Sequence, residues 1–167
     1  VYNDSFPPAA IVHYSFPARG NMPPVKLHWY DGGFQPERPE ELEPDRRMPS
    51  GGTMFVGDKG KLICESYSGS PRLIPETAMQ AYTRPEKRIP RITTSHQQAW
   101  VDAIKGKIAP PDDFDYAGPF TEAILLGNVA ARFPGQKLEW DGPGMRVTNV
   151  PEANEFVQHH YRSGWSL

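Results

Sequence analysis

The segment His28-Trp29-Tyr30-Asp31-Gly32-Gly33 holds the densest group of side chains that could bind a ligand. Trp29 and Tyr30 offer aromatic faces, and Asp31 offers a carboxylate that accepts hydrogen bonds. An aromatic face beside a carboxylate suits a sugar ring, because the ring stacks on the aromatic group while its hydroxyls donate to the carboxylate. The alternative is a core tryptophan followed by a turn-forming aspartate. Trp29, Tyr30 and Asp31 are therefore candidate substrate-binding residues.

Arg72 is a fourth candidate for contact with a ligand. It follows Ser70 and Pro71 in a stretch rich in turn-forming residues. A guanidinium group carries several donors in a planar array, so it suits a hydroxyl or a carboxylate of a substrate. A surface arginine without a ligand is the alternative. Arg72 completes the predicted substrate-binding set.

Sequence signatures of catalysis and of nucleotide binding are missing. The chain contains neither G-x-G-x-x-G nor G-x-x-x-x-G-K-[ST], so it predicts no phosphate-binding turn between a strand and a helix. A G-x-S-x-G nucleophile elbow is also absent. We therefore assign no catalytic residue and no cofactor-binding residue within this chain.

No metal site is predicted either. His13 and His28 can lie near each other on paired strands, but two histidines without a third ligand make a poor zinc site. The acidic run around Asp113 resembles half of a calcium loop, yet it lacks the glycine and the terminal glutamate of that motif. Acids at the start of a helix are the better explanation.

Length and composition predict one loop-rich globular domain. A chain of 167 residues buries roughly 70% of its unfolded surface, which is enough for a core. The net charge of -2 and the lack of a basic run argue against nucleic acid as a partner. No apolar run approaches the ~20 residues of a membrane span. Cys64 is the single cysteine, and we expect a buried, inert thiol.

Two strands are predicted to position the aromatic segment. Residues 10–16 and 25–30 alternate between apolar and polar types, which is typical of half-buried strands. Val12, Tyr14 and Phe16 share one face of the first strand, and Val25, Leu27 and Trp29 share one face of the second. The connection between them is of hairpin length, so the pair is predicted to be antiparallel.

A β-hairpin over residues 52–64 is predicted to be the centre of the sheet. Two apolar runs flank Gly57-Asp58-Lys59-Gly60, and both glycine and aspartate suit a tight turn. Both faces of the hairpin are largely apolar, so we expect it to be covered on both sides. Residues 35–50 before it are too polar to pack in a core. They are predicted to form a solvated loop or, alternatively, a lid or partner-contact loop.

Helical segments follow the strands. Ser95 and Gln98 form a capping box that starts a helix, and Gly106 is placed to end it. Pro119 suits the first turn of a second helix. That helix is apolar on almost every side as far as Phe133, so it is predicted to be the most buried element.

The order of strands before helices predicts an α+β domain. Its sheet is expected to be mainly antiparallel and open, with helices packed on one face. A short strand at residues 137–140 and a third helix at 151–160 continue the pattern. The other sheet face lacks cover within the chain, and such a face is typical of a partner surface. We therefore expect a homodimer or a tetramer formed through the open sheet face.

A series of short motifs runs in order over nearly the whole chain. They are Ser15-Phe16-Pro17-Ala18-Arg19-Gly20, Pro23-Pro24-Val25, Trp29-Tyr30-Asp31-Gly32-Gly33, Arg38-Pro39-Glu40-Glu41-Leu42, Phe55-Val56-Gly57-Asp58-Lys59-Gly60, Ser70-Pro71-Arg72-Leu73-Ile74-Pro75-Glu76, Phe114-Asp115-Tyr116-Ala117-Gly118-Pro119, Leu125-Leu126-Gly127-Asn128-Val129-Ala130, Leu138-Glu139-Trp140-Asp141 and the ending Tyr161-Arg162-Ser163-Gly164-Trp165-Ser166-Leu167. This ordered series resembles a known family, the C-terminal domain of bacterial Gfo/Idh/MocA-type (glucose-fructose oxidoreductase / inositol dehydrogenase-like) oxidoreductases.

The resemblance implies a two-domain enzyme that uses NAD(P). Its N-terminal Rossmann domain would hold the cofactor, and residues 1–167 would form the domain that shapes the sugar pocket and oligomerises. The family's nucleotide fingerprint, its Glu-Lys-Pro motif with the catalytic lysine and its Asp-x-x-x-His helix do not occur here. We expect them upstream of Val1, so this chain is expected not to catalyse the reaction alone.

The resemblance thus predicts a substrate-binding and oligomerisation domain of an NAD(P)-dependent sugar or polyol oxidoreductase. The expected partners are its own Rossmann domain, further copies of the chain and a sugar-like small molecule. Two alternatives stay open: a free-standing carbohydrate-binding or interaction module, and part of a sugar lyase or hydrolase that retains the nucleotide. The choice of sugar, of NAD or NADP, and of cytoplasm or periplasm is also open.

Overall fold

A computed structural model of the chain describes residues 5–158 and 161–165. These residues combine helices with antiparallel strands, which is an α+β composition. The chain divides into two compact units. One comprises Val1–Gln35 and Thr94–Leu167 and is called the N/C unit below, and the other, Pro36–Thr93, is called the middle unit.

Strands of the described chain form three separate antiparallel sheets, and the prediction of a single sheet centred on residues 52–64 is corrected accordingly. The sheets are β1 (Ile11–Phe16) with β2 (Val25–Tyr30), then β3 (Gly52–Gly57) with β4 (Gly60–Glu65) and β5 (Arg72–Ile74), and finally β6 (Trp140–Asp141) with β7 (Arg146–Val147). Four prolines lie between β2 and β3. Proline removes the backbone donor that a ladder requires, so this segment does not extend either sheet.

The hairpin β1–β2 has the predicted pairing. Val12 lies opposite Trp29, Tyr14 opposite Leu27, and Phe16 opposite Val25. Residues directly opposite each other in an antiparallel pair share a face, so the predicted apolar face is confirmed. The other face carries a polar and aromatic set of side chains, which consists of Ile11, His13, Ser15, Lys26, His28 and Tyr30.

The apolar face of this hairpin packs on the long helix of the N/C unit, α3 (Phe114–Ala130). The Tyr14 hydroxyl donates to the Ile124 carbonyl at 3.4 Å. A Cβ atom on Gly127 would clash with that hydroxyl, so glycine is what permits the close approach of strand and helix. Burial raises the pKa of Tyr14, although a backbone hydrogen bond at Gly127 acts the other way.

Helix α2 (His96–Ile104) begins where the capping residue predicts. The Ser95 hydroxyl accepts a hydrogen bond from the Gln98 amide at 3.2 Å, while the Gln98 side chain donates to Asp102 and does not close the capping box. Gly106 lies just beyond the helix with a φ of 68°, a left-handed conformation that glycine adopts without strain. The predicted start and end of this helix are therefore confirmed.

Helix α3 begins five positions before Pro119, which corrects the prediction of its start. The Asp113 carboxylate accepts from the Tyr116 amide at 3.0 Å and caps the first turn, so Pro119 lies inside the helix. The predicted burial is also wrong, because Phe114 is 92% exposed and Phe120 is 61% exposed. Buried residues of α3 are confined to its C-terminal part, at Gly127 and Val129.

The C-terminal part of the N/C unit surrounds a small core of Val129, Val147 and Ala153. A 3₁₀ helix spans Pro151–Phe156, where the sequence predicts a helix over residues 151–160. Asn154 fixes this turn to β7, because its amide accepts from the Val147 amide at 2.8 Å and donates to the Val147 carbonyl at 2.9 Å. His159 and His160, at the end of the predicted helix, lie outside the described residues.

The middle unit is built on the β3–β4 hairpin. Gly57 pairs with Gly60, which confirms the predicted tight turn. Ile63 and Cys64 are both buried although they point to opposite faces, so β4 is covered on both sides. Cys64 donates to the Thr53 carbonyl, and the predicted buried thiol is confirmed. Val56 on β3 is 66% exposed, so the cover does not extend over both arms.

Leu42 corrects the prediction that residues 35–50 contribute nothing to a core. It is 4% exposed and packs with Ile63 and Ile74. Arg38 donates to the carbonyls of Leu42, at 2.9 Å, and Glu43, at 2.7 Å, which holds this polar segment in a compact turn. A short helix that the sequence did not predict, α1 (Glu76–Ala81), follows β5.

Candidate functional site

Asp31 ends β2 and closes the open end of the β1–β2 hairpin. Its Oδ1 accepts from the Ala10 amide at 2.8 Å, and its own amide donates to the Ala10 carbonyl at 3.1 Å. Oδ2 has no bonded partner among the described residues, and the side chain is exposed. Asp31 therefore fills the turn-forming role weighed above and still offers one oxygen to a ligand.

Trp29 and Tyr30 lie on opposite faces of the hairpin. Trp29 lies opposite Val12, on the face that packs on α3, whereas Tyr30 lies opposite Ile11 on the other face. Trp29 is 46% exposed, and Tyr30 is half-buried. The structure therefore separates Trp29 from Tyr30, and the Asp31 carboxylate turns toward Ala10 just beyond the end of β2.

Arg72, on β5 of the middle unit, is fixed by a carboxylate. Its Nη2 donates to both oxygens of Glu43, at 3.0 and 2.8 Å, and lies 3.7 Å from Glu76. The Glu76 amide also donates to Glu43. Nε of Arg72 is buried and has no acceptor within the described part of the chain. Arg72 therefore has a structural role in which only part of its guanidinium is used.

Two carboxylates of the middle unit have lowered pKa values. For Glu43 the largest cause is a hydrogen bond from its own backbone amide, with further support from the Glu76 amide and from Arg72; burial opposes the shift. For Glu41 the largest cause is Lys61, whose ammonium donates to the two oxygens at 2.8 and 2.6 Å. Both carboxylates are therefore held in the charged form.

A cavity of about 370 Å³ lies within the middle unit next to Arg72. Leu42, Ile63, Cys64 and Ile74 form its apolar wall. Its polar lining consists of Arg46, Arg47, Arg72, Glu65 and Ser70. Sequence reasoning identified Arg72 but missed Arg46 and Arg47, which stand in a run that shows no pattern beyond two adjacent basic residues.

The N/C unit contains a second cavity, of about 340 Å³, with a largely apolar lining. Leu125, Leu126 and Phe156 belong to this lining. Glu122 is its carboxylate, and Glu122 accepts from the indole nitrogen of Trp140 at 2.6 Å. Trp29, Tyr30 and Asp31 do not line either of the two cavities. The predicted aromatic segment thus lies outside both of these cavities.

His13 and His28 form the cross-strand pair that the sequence suggested. They are register partners, with 2.5 Å between their Nδ1 atoms and 4.7 Å between ring centroids. In residues 5–158 and 161–165, no group of three or more histidine, cysteine, aspartate or glutamate side chains could hold a metal ion. The pair therefore remains a two-residue contact on an exposed sheet face.

Comparisons with known proteins leave the family without independent support. No family model matches the chain, and no curated protein matches it. Among the described residues, no helix combines the length and apolar character required to cross a bilayer.

Proposed function

We propose that this chain is the substrate-binding and oligomerisation domain of an NAD(P)-dependent sugar or polyol oxidoreductase of the Gfo/Idh/MocA type. In this proposal a separate Rossmann domain of the same enzyme binds the nicotinamide cofactor and transfers the hydride. The present chain supplies walls of the sugar pocket and the contacts between copies.

The observation that carries the proposal is the ordered series of motifs from Ser15 to Trp165, found in a chain of the expected α+β class. The predicted alternation of β1 and β2 and the predicted β3–β4 turn are present at the expected positions. The packing of helices on one face of an antiparallel sheet, as in the family, is part of the proposal.

Exposed apolar side chains of the N/C unit also favour a domain of a larger assembly. More than half of the residue surface is exposed at Trp100, Ile104, Phe114, Phe120 and Leu125. Surfaces of this kind are typical of chains that pack against partners.

The proposed sugar contacts are Trp29, Tyr30, Asp31 and Arg72. Trp29 offers a half-exposed indole for ring stacking, and Asp31, two positions later at the end of the hairpin, offers its free carboxylate oxygen. Tyr30, on the opposite face, would contact a different part of the ligand or of a partner. Arg72 contributes donors that its pairing with Glu43 leaves unused.

The proposal is tested by assaying the intact natural protein for NAD(P)-dependent oxidation of a panel of sugars and polyols. Net reduction of the nicotinamide by at least one of them is expected. Elimination or hydrolysis without net reduction would instead favour the nucleotide-retaining lyase or hydrolase. A protein that binds the sugar and never a nicotinamide would favour the free-standing binding module and overturn the proposal.

A further inference from the structure

We propose that the cavity of the middle unit is a binding site for a small oxyanion, namely a carboxylate or phosphate group, with Arg47 and Arg72 as the donors. The residues that carry this inference all belong to Pro36–Thr93, and Arg72 is the one that it shares with the proposed sugar contacts.

The first observation is the unused donor capacity of Arg72. Glu43 engages Nη2, and neither Nε nor Nη1 has an acceptor within the described residues. Nε is the one buried side-chain nitrogen or oxygen in that part of the chain without a hydrogen bond. Buried donors of native proteins are nearly always paired, so a missing acceptor indicates a group that the protein alone does not supply.

The second observation is the free charge of Arg47. Arg46 lies 3.7 Å from Glu43 and 3.3 Å from Glu76, so its charge is already compensated. Arg47 lines the same cavity, and within the described residues it has neither an ion pair nor a hydrogen-bonded partner. A guanidinium without a counter-ion next to a second one with spare donors suits an oxygen-rich anion, which accepts from both.

The other lining residues and the volume of the cavity indicate the chemical class and the size of its ligand. Ser70 adds a hydroxyl, and Leu42, Ile63 and Ile74 close one side with apolar surface. A volume of about 370 Å³ is larger than a bare phosphate requires, so it leaves room for a small organic body attached to the anion. Glu65 is the carboxylate among the lining residues, and its negative charge opposes an anion.

Calorimetric titration of the purified protein at constant ionic strength tests the inference with three probes: inorganic phosphate, D-glucuronate and neutral D-glucose. Saturation by at least one anion below about 10 mM is expected, with D-glucose at least tenfold weaker. Binding of phosphate alone identifies a phosphate site, and binding of glucuronate alone identifies a carboxylate site. Absence of binding by both anions, or equal binding of glucose and glucuronate, would overturn the inference.

Three variants separate the site from a general charge effect. Arg47→Gln should weaken anion binding about tenfold, because it removes a charged donor. Glu65→Gln should strengthen it about threefold, because it removes the repulsion. Arg88→Gln, an exposed residue of the same unit that does not line the cavity, makes the same charge change as Arg47→Gln and should leave binding unaltered. Equal losses in Arg47→Gln and Arg88→Gln would contradict the proposed site.

Nicotinamide reduction is not a readout of this experiment. The anion site can therefore fail while the oxidoreductase proposal stands, and the oxidoreductase proposal can fail while the anion site stands.

Discussion

Asp31 shows how one carboxylate can serve both a fold and a ligand. Its Oδ1 replaces a missing ladder partner by accepting from the Ala10 amide, and its other oxygen stays available. An exposed strand end with a fixed acceptor suits a sugar contact, because the fold has already oriented the side chain and binding loses less conformational entropy.

Substitutions at Asp31 can separate these two roles. Asp31→Asn keeps a carbonyl acceptor for Ala10 and removes the charge, so stability should change by less than about 0.5 kcal/mol. Asp31→Ala loses the hydrogen bond as well, at a cost of about 1 kcal/mol. If Asp31 contacts sugar, both variants should weaken sugar binding or turnover of the intact protein, as measured by calorimetry and steady-state kinetics. Normal kinetics with a large loss of stability would support a role in the turn alone.

Glu43 couples the middle unit to pH. Its pKa in the folded chain lies below the ordinary value of 4.5, so its contribution to stability is fully present above pH 4.5. That contribution is lost as the pH falls below 4.5 and through the lowered pKa. Glu43→Gln should therefore reduce the urea midpoint at neutral pH and flatten the acid side of the profile measured from pH 6 to about pH 3.

Glu40→Gln is the matched control for that experiment. It changes the net charge equally, and Glu40 makes no ion pair within the described residues. The dependence of its urea midpoint on pH should match that of the unmodified protein. If the urea midpoint of Glu43→Gln fell with acid as steeply as that of the unmodified protein, Glu43 would not link folding to pH.

The strands β1 to β4 were predicted accurately from the sequence, because a period of two fixes which residues share a face. The strand predicted at residues 137–140 is instead β6 at Trp140–Asp141, and β7 was not predicted. The alternation around Val12 and Trp29 gave the correct faces of β1 and β2, and Gly57 and Gly60 gave the correct turn. The start of α3 was missed because Pro119 was taken as a first-turn residue, whereas the cap at Asp113 decides where the helix begins.

The candidate site was predictable only where its residues are neighbours in sequence. Trp29 and Asp31 follow from one strand end. The ion pair of Arg72 with Glu43 could not be predicted, because Glu43 lies 29 positions earlier, in a segment that the sequence predicts to be a solvated loop. Arg38 holds that segment in a compact turn through hydrogen bonds to backbone carbonyls. Every residue has a backbone carbonyl, so the sequence does not reveal which carbonyls accept these bonds.

The contact between α3 and β1 depends on the absence of a side chain at Gly127. Gly127→Ala should destabilise the protein by about 1–2 kcal/mol, because the clash with the Tyr14 hydroxyl outweighs the gain in helix propensity. Tyr14→Phe alone should cost less than about 1 kcal/mol, since its hydrogen bond is 3.4 Å long. Thermal unfolding of the double variant should show partial rescue, and strictly additive losses would contradict this contact.

At the scale of the whole molecule, the exposed surface raises the question of which faces meet a partner. The outer face of β1–β2 is polar apart from Ile11 and Tyr30, so apolar burial there is modest. Stronger apolar exposure occurs at Phe55 and Val56 on β3 and at Ile104 on α2. The strand residues favour pairing through sheet faces, whereas Ile104 favours a helical contact.

We predict that the chain self-associates as a dimer or tetramer through its exposed strand faces. Removing about 800 Å² per partner is typical of stable pairs, and apolar surface contributes roughly 25 cal/mol per Å² before association costs are met. Light scattering at high micromolar concentration should therefore give a mass of two or four times 18.8 kDa.

Val56→Lys should lower that mass toward the monomer, because a lysine in a sheet-face contact is costly to desolvate. Ile104→Lys, an equal change on an exposed helix, should leave it unaltered. A monomer in the unmodified protein, or loss of association with Ile104→Lys alone, would contradict pairing through the strand faces.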